Sequence, residues 1–362
     1  MSSINYQVPT VAEIKRQAKK SLPAFEVVSL FAGGGGSSTG YRMAGGKVLA
    51  INEFVEEARK TYRANWPDTH IFPDDVRQLT GEAILKQLVL KPGELDILDG
   101  SPPCSAFSTA GKRDKNWGKA KKYSDTSQEN VEDLFFEYIR ILREIKPKVF
   151  VAENVAGLSI GTAKGYLNQI LSKLKKSGYY VECRQLDARF LGVPQTRNRL
   201  IFVGVRNDLF LPSMAGKLHP SPFDYVVPLK AAIGNLKLSD SDREFTDISK
   251  LATYKLLKTL KPGEQHHKRF NLIKAHPNKP SGCVTASSGA RGTAAVHHWD
   301  NRMFSVAEVK RIMSIPDDYI LTGNDTKKIE RLGRMVPPLM MKAVAENIQK
   351  VVLNAHSNQL DF

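Results

Sequence analysis

An apolar segment that runs directly into four consecutive glycines is the feature that most constrains how this chain can fold. Residues 26–31 (EVVSLF) carry the β-branched and aromatic side chains that favour a strand. Gly33–Gly36 follow, and small polar residues then open a helix. Glycines between a strand and a helix let the backbone approach a ligand closely. This unit therefore predicts an α/β protein with a binding loop at the carboxyl end of its first strand.

Acidic residues follow the next two extended segments. A strand at 47–52 ends at Glu53, and the segment after the following helix ends near Asp75. An acid at such a position can hold a ribose diol, and the other can accept from an adenine amino group, so the three strand ends predict a pocket for an adenosine-containing cofactor. A complete dinucleotide pattern is absent, since its third glycine position holds Ser38. The alternative is that both acids are solvated surface residues.

A cysteine follows a fourth strand on a stiff turn. Residues 94–100 (ELDILDG) read as a short buried strand, and Pro102 and Pro103 fix the backbone immediately before Cys104. Ligands bind at this end of the strands in an open α/β sheet. Cys104 is therefore a candidate nucleophile, and the alternative is a small buried apolar residue.

The stretch at 109–129 has no periodicity and is basic. A loop of this length inside a compact domain is typically functional or disordered. Beside a candidate nucleophile it predicts a mobile lid that meets phosphates, and a solvated insertion is the alternative. Its basic and aromatic residues are Lys112, Arg113, Lys115, Lys119, Lys121, Lys122, Trp117 and Tyr123.

Two further groups of polar residues border apolar strands. Glu153 follows a predicted strand at 148–152 and could share a pocket with the thiol. Gln195, Arg197 and Arg199 alternate as the chain enters another strand, which would place them on one face. Arginines arranged in this way can hold a carboxylate or a phosphate. The alternative is an edge strand whose charges face water.

The second half of the chain is less regular. Residues 206–276 contain one predicted helix, at 248–260, and are the best candidate for a smaller recognition domain. Arg291 lies in a small-residue run suited to close phosphate approach, or to a flexible linker. Ser305 and Glu308 form a capping-box pattern at the start of a helix.

Composition limits the class of protein. The formal net charge is +16, which favours a nucleic-acid partner, although a generally basic surface gives the same value. The 3 cysteines form no CxxC, so we expect no disulfide framework and a reducing compartment. No apolar run is long enough for a membrane span, and no His/Cys cluster has metal-site spacing.

Taken in order, these motifs resemble those of the DNA (cytosine-5) methyltransferase family. The resemblance covers nearly the whole chain except residues 1–24 and 206–276. It rests on FAGGGG at 31–36, the acids Glu53 and Asp75, Pro103-Cys104, Glu-Asn-Val at 153–155, Gln-x-Arg-x-Arg at 195–199, the helix within 302–319 and GRMVPP at 333–338. Three positions depart from the family pattern: Ser29 stands where Asp is frequent, Ser105 where Gln is common and Arg334 where Asn is expected.

The resemblance implies a Rossmann-like S-adenosylmethionine-dependent methyltransferase fold, with a mixed, mostly parallel sheet, helices on both faces and a smaller target-recognition domain. It implies an N-terminal extension at 1–24, a catalytic domain at 25–205, target recognition at 206–300, a hinge region at 301–329 and a C-terminal helix at 330–362. The implied S-adenosylmethionine contacts are Phe31, Gly33, Gly34, Gly35, Glu53, Phe54, Asp75, Val76 and Pro103. The implied nucleic-acid contacts are Ser105, Ser108, Lys112, Arg113, Gln195 and Arg291.

The implied reaction uses Cys104 to attack carbon 6 of a flipped-out cytosine in double-stranded DNA. Glu153 would hold ring nitrogen 3, while Arg197 and Arg199 would orient Glu153 and the target phosphodiester. The product of the methyl donor would be S-adenosylhomocysteine, and no metal is expected. We expect a monomer in a bacterial or phage-infected cytoplasm, serving restriction-modification or DNA protection. The alternatives are a transfer-RNA cytosine-5 methyltransferase on the same scaffold and a non-catalytic nucleic-acid-binding protein.

Overall fold

The computed structural model describes residues 6–103, 121–123, 126–128, 133–161, 163–290 and 294–357. Six of the site residues expected from the sequence lie outside this part of the chain: Cys104, Ser105, Ser108, Lys112, Arg113 and Arg291. The strands are β1 (Glu26–Leu30), β2 (Lys47–Asn52), β3 (His70–Phe72), β4 (Ile97–Gly100), β5 (Lys121–Tyr123), β6 (Thr126–Gln128), β7 (Val149–Val155), β8 (Tyr179–Asp187), β9 (Asn198–Arg206), β10 (Gln265–His266), β11 (Arg269–Lys274) and β12 (Val296–His297).

The helices surround the strands in chain order. They are α1 (Val11–Ala18), α2 (Gly36–Met43), α3 (Glu56–Asn65), α4 (Gly81–Leu88), α5 (Leu134–Ile145), α6 (Ala163–Lys175), α7 (Leu229–Ile233), α8 (Asp240–Thr246), α9 (Ala252–Thr259), α10 (Val306–Ile312), α11 (Asp325–Arg334), α12 (Pro338–Ile348) and α13 (Asn354–Ser357). A π-helical turn at Gln349–Leu353 joins the last two.

A seven-stranded sheet forms the centre of the molecule, in the order β3-β2-β1-β4-β7-β9-β8. Every neighbouring pair from β3 to β7 is parallel, whereas β9 runs antiparallel to both β7 and β8. The predicted mixed, mostly parallel sheet is therefore confirmed. After β1 the chain builds outwards through β2 and β3, then returns to place β4 on the other side of β1. Such a reversal opens a crevice at the carboxyl ends of the strands, where ligands bind in α/β sheets.

Both faces of this sheet are covered by helices. Val27 of β1 packs in a cluster with residues of α1, α2 and α12, and its neighbour Val28 packs in a second cluster with residues of α4, α5 and α6. Successive side chains of a strand point to opposite faces, so a central strand with two buried faces has an apolar run rather than an alternating pattern. That explains why the sequence of β1 is apolar at consecutive positions.

A smaller unit lies within the region expected to recognise DNA. Strands β10, β11 and β12 form a three-stranded sheet, and Ile248, Leu257, Leu272 and Met303 form a separate buried cluster. Other residues of this region, such as Leu229, are buried in the main core. The separate sheet and cluster support a smaller unit, and the boundary at residue 206 stays a prediction.

Several predicted boundaries were wrong, for identifiable reasons. Glu153 was expected just beyond its strand, but β7 continues to Val155 because β9 pairs with it as far as Arg199. The helix expected at 248–260 spans only Ala252–Thr259, and α8 was missed although Ser239 gives it a capping box. The stretch after Cys104, which we expected to be irregular, contains the antiparallel pair β5 and β6.

The capping box predicted at the start of α10 is confirmed. The Ser305 hydroxyl accepts a hydrogen bond from the Glu308 backbone N–H at 3.2 Å, and the Glu308 carboxylate accepts one from the Ser305 N–H at 2.8 Å. The same carboxylate pairs with Arg302 at 2.7 Å, and Ser305 is fully buried. This cap therefore fixes the start of α10 in the protein interior.

We predict that Ser305→Ala lowers the free energy of unfolding by about 1 kcal/mol or slightly more, because a buried helix N–H loses its partner. Denaturant unfolding measures this change. Ser239→Ala is the matched control, since Ser239 forms the same motif on α8 with exposed hydrogen bonds. An equal or smaller loss for Ser305→Ala than for Ser239→Ala would contradict the buried role of the cap.

Candidate active site

The glycine loop between β1 and α2 is packed tightly on one side. A side chain at Gly34 would collide with Met335, and one at Gly36 would collide with the backbone of Val336. Tyr319 donates a hydrogen bond to the Gly34 carbonyl at 2.6 Å. Glycine is therefore required here because the C-terminal part of the chain approaches the loop backbone closely.

The other side of this loop is open. Phe31 has φ of +55°, and Gly33 has φ of +56° with no described atom within 4 Å of the place where a Cβ would stand. A left-handed conformation at a non-glycine residue is uncommon and is associated with functional sites. The loop therefore presents free backbone at the crevice between β1 and β4, where an adenosine cofactor was expected.

Glu53 is fixed beside the open part of the loop. Its two carboxylate oxygens accept hydrogen bonds from the backbone N–H groups of Gly33, at 2.6 Å, and Val55, at 2.7 Å. Burial raises the pKa of the Glu53 carboxyl, against the lowering effect of these two bonds and of Arg59 and Arg334. A carboxylate can accept further hydrogen bonds, so Glu53 can still hold a diol.

The remaining expected cofactor contacts border the same crevice. The Asp75 carboxylate pairs with Arg77 at 2.9 Å, and the carbonyl of buried Val76 accepts from Arg140 at 3.0 Å. The Phe54 carbonyl accepts from Arg59 at 2.5 Å. These bonds fix the backbone that follows β2 and β3.

Glu153 and Arg199 form a close ion pair on adjacent strands. Arg199 Nε lies 2.7 Å from Glu153 Oε1, and the side chains are 15% and 11% exposed. The two residues are near neighbours because β7 and β9 pair antiparallel. One carboxylate oxygen is thus held by a guanidinium in a largely desolvated place, which fixes the orientation of the carboxyl group.

Arg197 does not join this pair and instead ties distant segments together. It is 3% exposed, and its guanidinium donates to the carbonyls of Val284 at 2.9 Å and of Gly333 and Met335 at 3.0 Å each. Burial lowers the pKa of Arg197 to about 10, so it remains charged at neutral pH. The expectation that Arg197 orients Glu153 directly is not supported by this placement.

Gln195 is also buried rather than exposed to DNA. It has no exposed surface, and its side-chain oxygen accepts from the Val284 N–H at 2.8 Å. Its amide nitrogen donates to the Ile312 carbonyl at 3.4 Å. The interior takes both ends of this side chain, so the expectation of direct DNA contact is not supported. Alternation correctly placed Gln195 and Arg197 on a common partner, the backbone of Val284.

The chain that leads into Cys104 runs beside Glu153. Gly100 of β4 pairs in register with Ala152 of β7, the residue immediately before Glu153. Beyond the strand, the Pro102 carbonyl accepts from the Asn154 side chain at 3.3 Å. The half-buried Pro103 is the last described residue before Cys104. The described backbone therefore brings the catalytic segment expected from the sequence to the same sheet edge as Glu153.

Sequence reasoning missed a buried carboxylate beneath the glycine loop. Asp99 of β4 accepts hydrogen bonds from Ser29 at 2.6 Å, Ser37 at 2.8 Å and Tyr41 at 3.1 Å. Burial raises the Asp99 pKa to about 6, against these three bonds, with a further rise from the charge of Glu153. Ser29 and Asp99 are register partners, so the carboxylate expected on β1 stands on the neighbouring strand. An acid inside an otherwise apolar strand was the available signal.

Two other kinds of site were searched for. Within the described ranges, no group of three or more His, Cys, Asp or Glu side chains is arranged to hold a metal ion. Among the same residues, no helix combines the length and the apolar character needed to cross a membrane.

Comparison with known proteins gives one consistent family. Residues 25–350 match the family model of C-5 cytosine-specific DNA methylases. The chain is 29% identical to the type II methyltransferase M1.HphI of Haemophilus parahaemolyticus, over 98% of this chain and 95% of that protein. It is 32% identical to M.Eco47II of Escherichia coli, over 92% and 80%. A crystal structure of a Spodoptera frugiperda DNMT2 variant has the same fold, with a TM-score of 0.68 or below among such matches and 0.65 for this one, at 22% identity over 91% and 99%.

We predict that Asp99 makes folding less favourable as the pH rises. Its pKa of about 6 in the folded protein lies above the ordinary value of 3.8, so its contribution to stability is complete below pH 3.8 and is lost as pH rises through 6. The loss is on the order of 3 kcal/mol. Denaturant unfolding of the parent and of Asp99→Asn between pH 4 and 7, roughly this window, measures it.

The stability difference between the two proteins should move in favour of Asp99→Asn as the pH rises. A difference that stays constant over this range would show that Asp99 does not titrate as its surroundings require.

Proposed function

Because this chain belongs to the C-5 cytosine-specific DNA methylase family and is a DNA cytosine-5 methyltransferase, we propose that it methylates carbon 5 of a flipped-out cytosine in duplex DNA through a covalent bond to Cys104. The methyl donor is S-adenosylmethionine. The observation that carries the proposal is the Glu153–Arg199 pair beside the backbone that leads to Cys104. This pair and the open side of the glycine loop border the same edge of the sheet.

The crevice fits the donor in three respects. Gly33 leaves its open side unfilled, Glu53 is a fixed acceptor beside it, and the loop lies at the reversal of strand order. Phe31, Gly33, Gly34, Gly35, Glu53, Phe54, Asp75, Val76 and Pro103 would hold S-adenosylmethionine. The bound donor supplies an electrophilic methyl group on a sulfonium.

The chain's own residues would make cytosine reactive enough to accept that methyl group. The Cys104 thiolate adds to carbon 6, and the electron pair displaced from the 5,6 double bond gives carbon 5 enamine character. Glu153 stabilises the charge that develops on ring nitrogen 3, by holding or donating a proton there. After methylation, a water molecule removes the carbon 5 proton, the double bond re-forms, and Cys104 leaves as a thiolate.

Arg199 would act on this step through Glu153. Its guanidinium holds one carboxylate oxygen, which directs the other part of the carboxyl group towards the ring. Arg197 would contribute by holding β9 to the segments around Val284 and Met335. The two arginines of one motif therefore have separate roles in this proposal.

Duplex DNA suits the charge of the chain, and its use requires a displaced base. A formal charge of +16 favours binding to a polyanion. Carbon 5 and carbon 6 cannot be reached within a stacked duplex, so the cytosine must be flipped out at a cost on the order of a few kcal/mol. We propose that residues 206–300 read flanking bases, and that the protein acts as a monomer in the cytoplasm, in restriction-modification or DNA protection.

We predict that Cys104→Ser abolishes methyl transfer while duplex binding persists, because a serine hydroxyl is far less ionised than a thiol at neutral pH. Tritium transfer from labelled S-adenosylmethionine and gel-shift titration measure the two properties. The parent should also form a denaturation-resistant adduct with DNA containing 5-fluorocytosine, and the variant should not. Full turnover by Cys104→Ser would refute the covalent route.

We predict that Glu153→Gln lowers kcat by roughly 10²–10⁴-fold, since proton transfer to the ring is lost. Arg199→Met should lower kcat in the same direction by a smaller factor. Arg206→Met is the matched control: Arg206 lies at the other end of β9 and pairs with Asp208 at 2.7 Å, the same distance as Arg199 from Glu153. An equal fall in kcat for the two arginine variants would argue against a specific role for Arg199.

The target sequence can be found without assumption. Bisulfite sequencing of DNA from cells expressing the parent should show protected cytosines at one short sequence, and none in cells expressing Cys104→Ser. Methylation of transfer RNA without methylation of duplex DNA would overturn the proposed substrate.

A further inference from the structure

Three hydroxyl groups converge on one carboxylate beneath the glycine loop. Ser29 and Ser37 both donate to Asp99 Oδ2, at 2.6 and 2.8 Å, and Tyr41 donates to Oδ1 at 3.1 Å. Asp99 is 1% exposed, and the three donors are 0–4% exposed. A buried carboxylate is costly unless its hydrogen bonds are made, so this arrangement is specific.

These donors stand on either side of the loop. Ser29 belongs to β1, before the loop begins, while Ser37 and Tyr41 belong to α2, after it ends. Asp99 lies on β4, and four residues later the same strand and turn lead to Cys104. One carboxylate therefore connects both ends of the loop to the strand that precedes the candidate nucleophile.

We propose that Asp99 is a positioning residue that sets the place of the cofactor loop relative to β4. The proposal rests on the function proposed above. By holding both ends of the loop, Asp99 keeps the open backbone at Gly33 at a fixed distance from the segment before Cys104. The methyl donor and the base would then be brought together by hydrogen bonds that neither of them touches.

The geometry excludes a direct chemical role for Asp99. Both of its oxygens are bonded to hydroxyl groups, and the side chain has almost no exposed surface. Asp99 is therefore unable to reach either substrate without breaking this arrangement. Its effect should appear in cofactor binding rather than in the chemical step.

The test compares cofactor binding by the full-length parent and by folded variants. Calorimetric titration with S-adenosylhomocysteine, in the absence of DNA, should show affinity at least tenfold weaker for Asp99→Asn and about threefold weaker for Tyr41→Phe, each tenfold corresponding to about 1.4 kcal/mol. At saturating S-adenosylmethionine, kcat should stay within about threefold of the parent, while KM for the donor rises by the same factor as the dissociation constant.

Tyr138→Phe is the matched control for Tyr41→Phe. Tyr138 is also fully buried and lies within hydrogen-bond distance of the Leu98 carbonyl of β4, at 3.0 Å, but it holds no part of the loop. It should destabilise the protein without changing the affinity for S-adenosylhomocysteine. Tyr41→Phe and Tyr138→Phe also keep the test decisive if Asp99→Asn fails to fold.

The outcomes separate this inference from the proposed function. If the parent binds S-adenosylhomocysteine and the Asp99 and Tyr41 variants bind it within twofold of the parent, the positioning role is wrong. Equal weakening by Tyr138→Phe would also overturn it, because the effect would then be general destabilisation. If the folded parent fails to bind S-adenosylhomocysteine at all, the proposed function fails instead.

Discussion

Close contact between the glycine loop and the segment around Met335 is the constraint on which the site depends. Two glycines of the loop have no room for a Cβ because Met335 and Val336 occupy the space, and Tyr319 holds the Gly34 carbonyl from the same side. The loop is thereby fixed on one side and open on the other. An open binding face needs such support, since an exposed glycine loop would otherwise lose its conformation readily.

Buried charge defines the roles of the polar residues more sharply than the motifs did. Arg199 meets a carboxylate, whereas Arg197 meets three backbone carbonyls, although both belong to one alternating pattern. Asp99 has no cation among its hydrogen-bond partners and relies on three hydroxyl groups. Similar residue types thus serve different purposes according to which acceptors the fold brings to them.

The sequence was sufficient for the parts of the fold that depend on local patterns. The first strand, the glycine loop and the capping box at Ser305 follow from residue type and spacing, and the structure confirms them. The reach of β7 to Val155 could not be predicted, because it depends on pairing with a strand that is distant in the chain. The burial of Gln195 was missed for the same reason: its partner at Val284 is 89 residues away.

The supports of the glycine loop come from opposite parts of the chain, and this has a consequence for biosynthesis. Residues 26–43 emerge early from the ribosome, but Tyr319 and Met335, which pack against them, emerge near the end of translation. A nascent chain therefore has the strands of the central sheet long before it has a completed cofactor crevice. DNA modification by a partly synthesised polypeptide is excluded by the order in which its contacts become available.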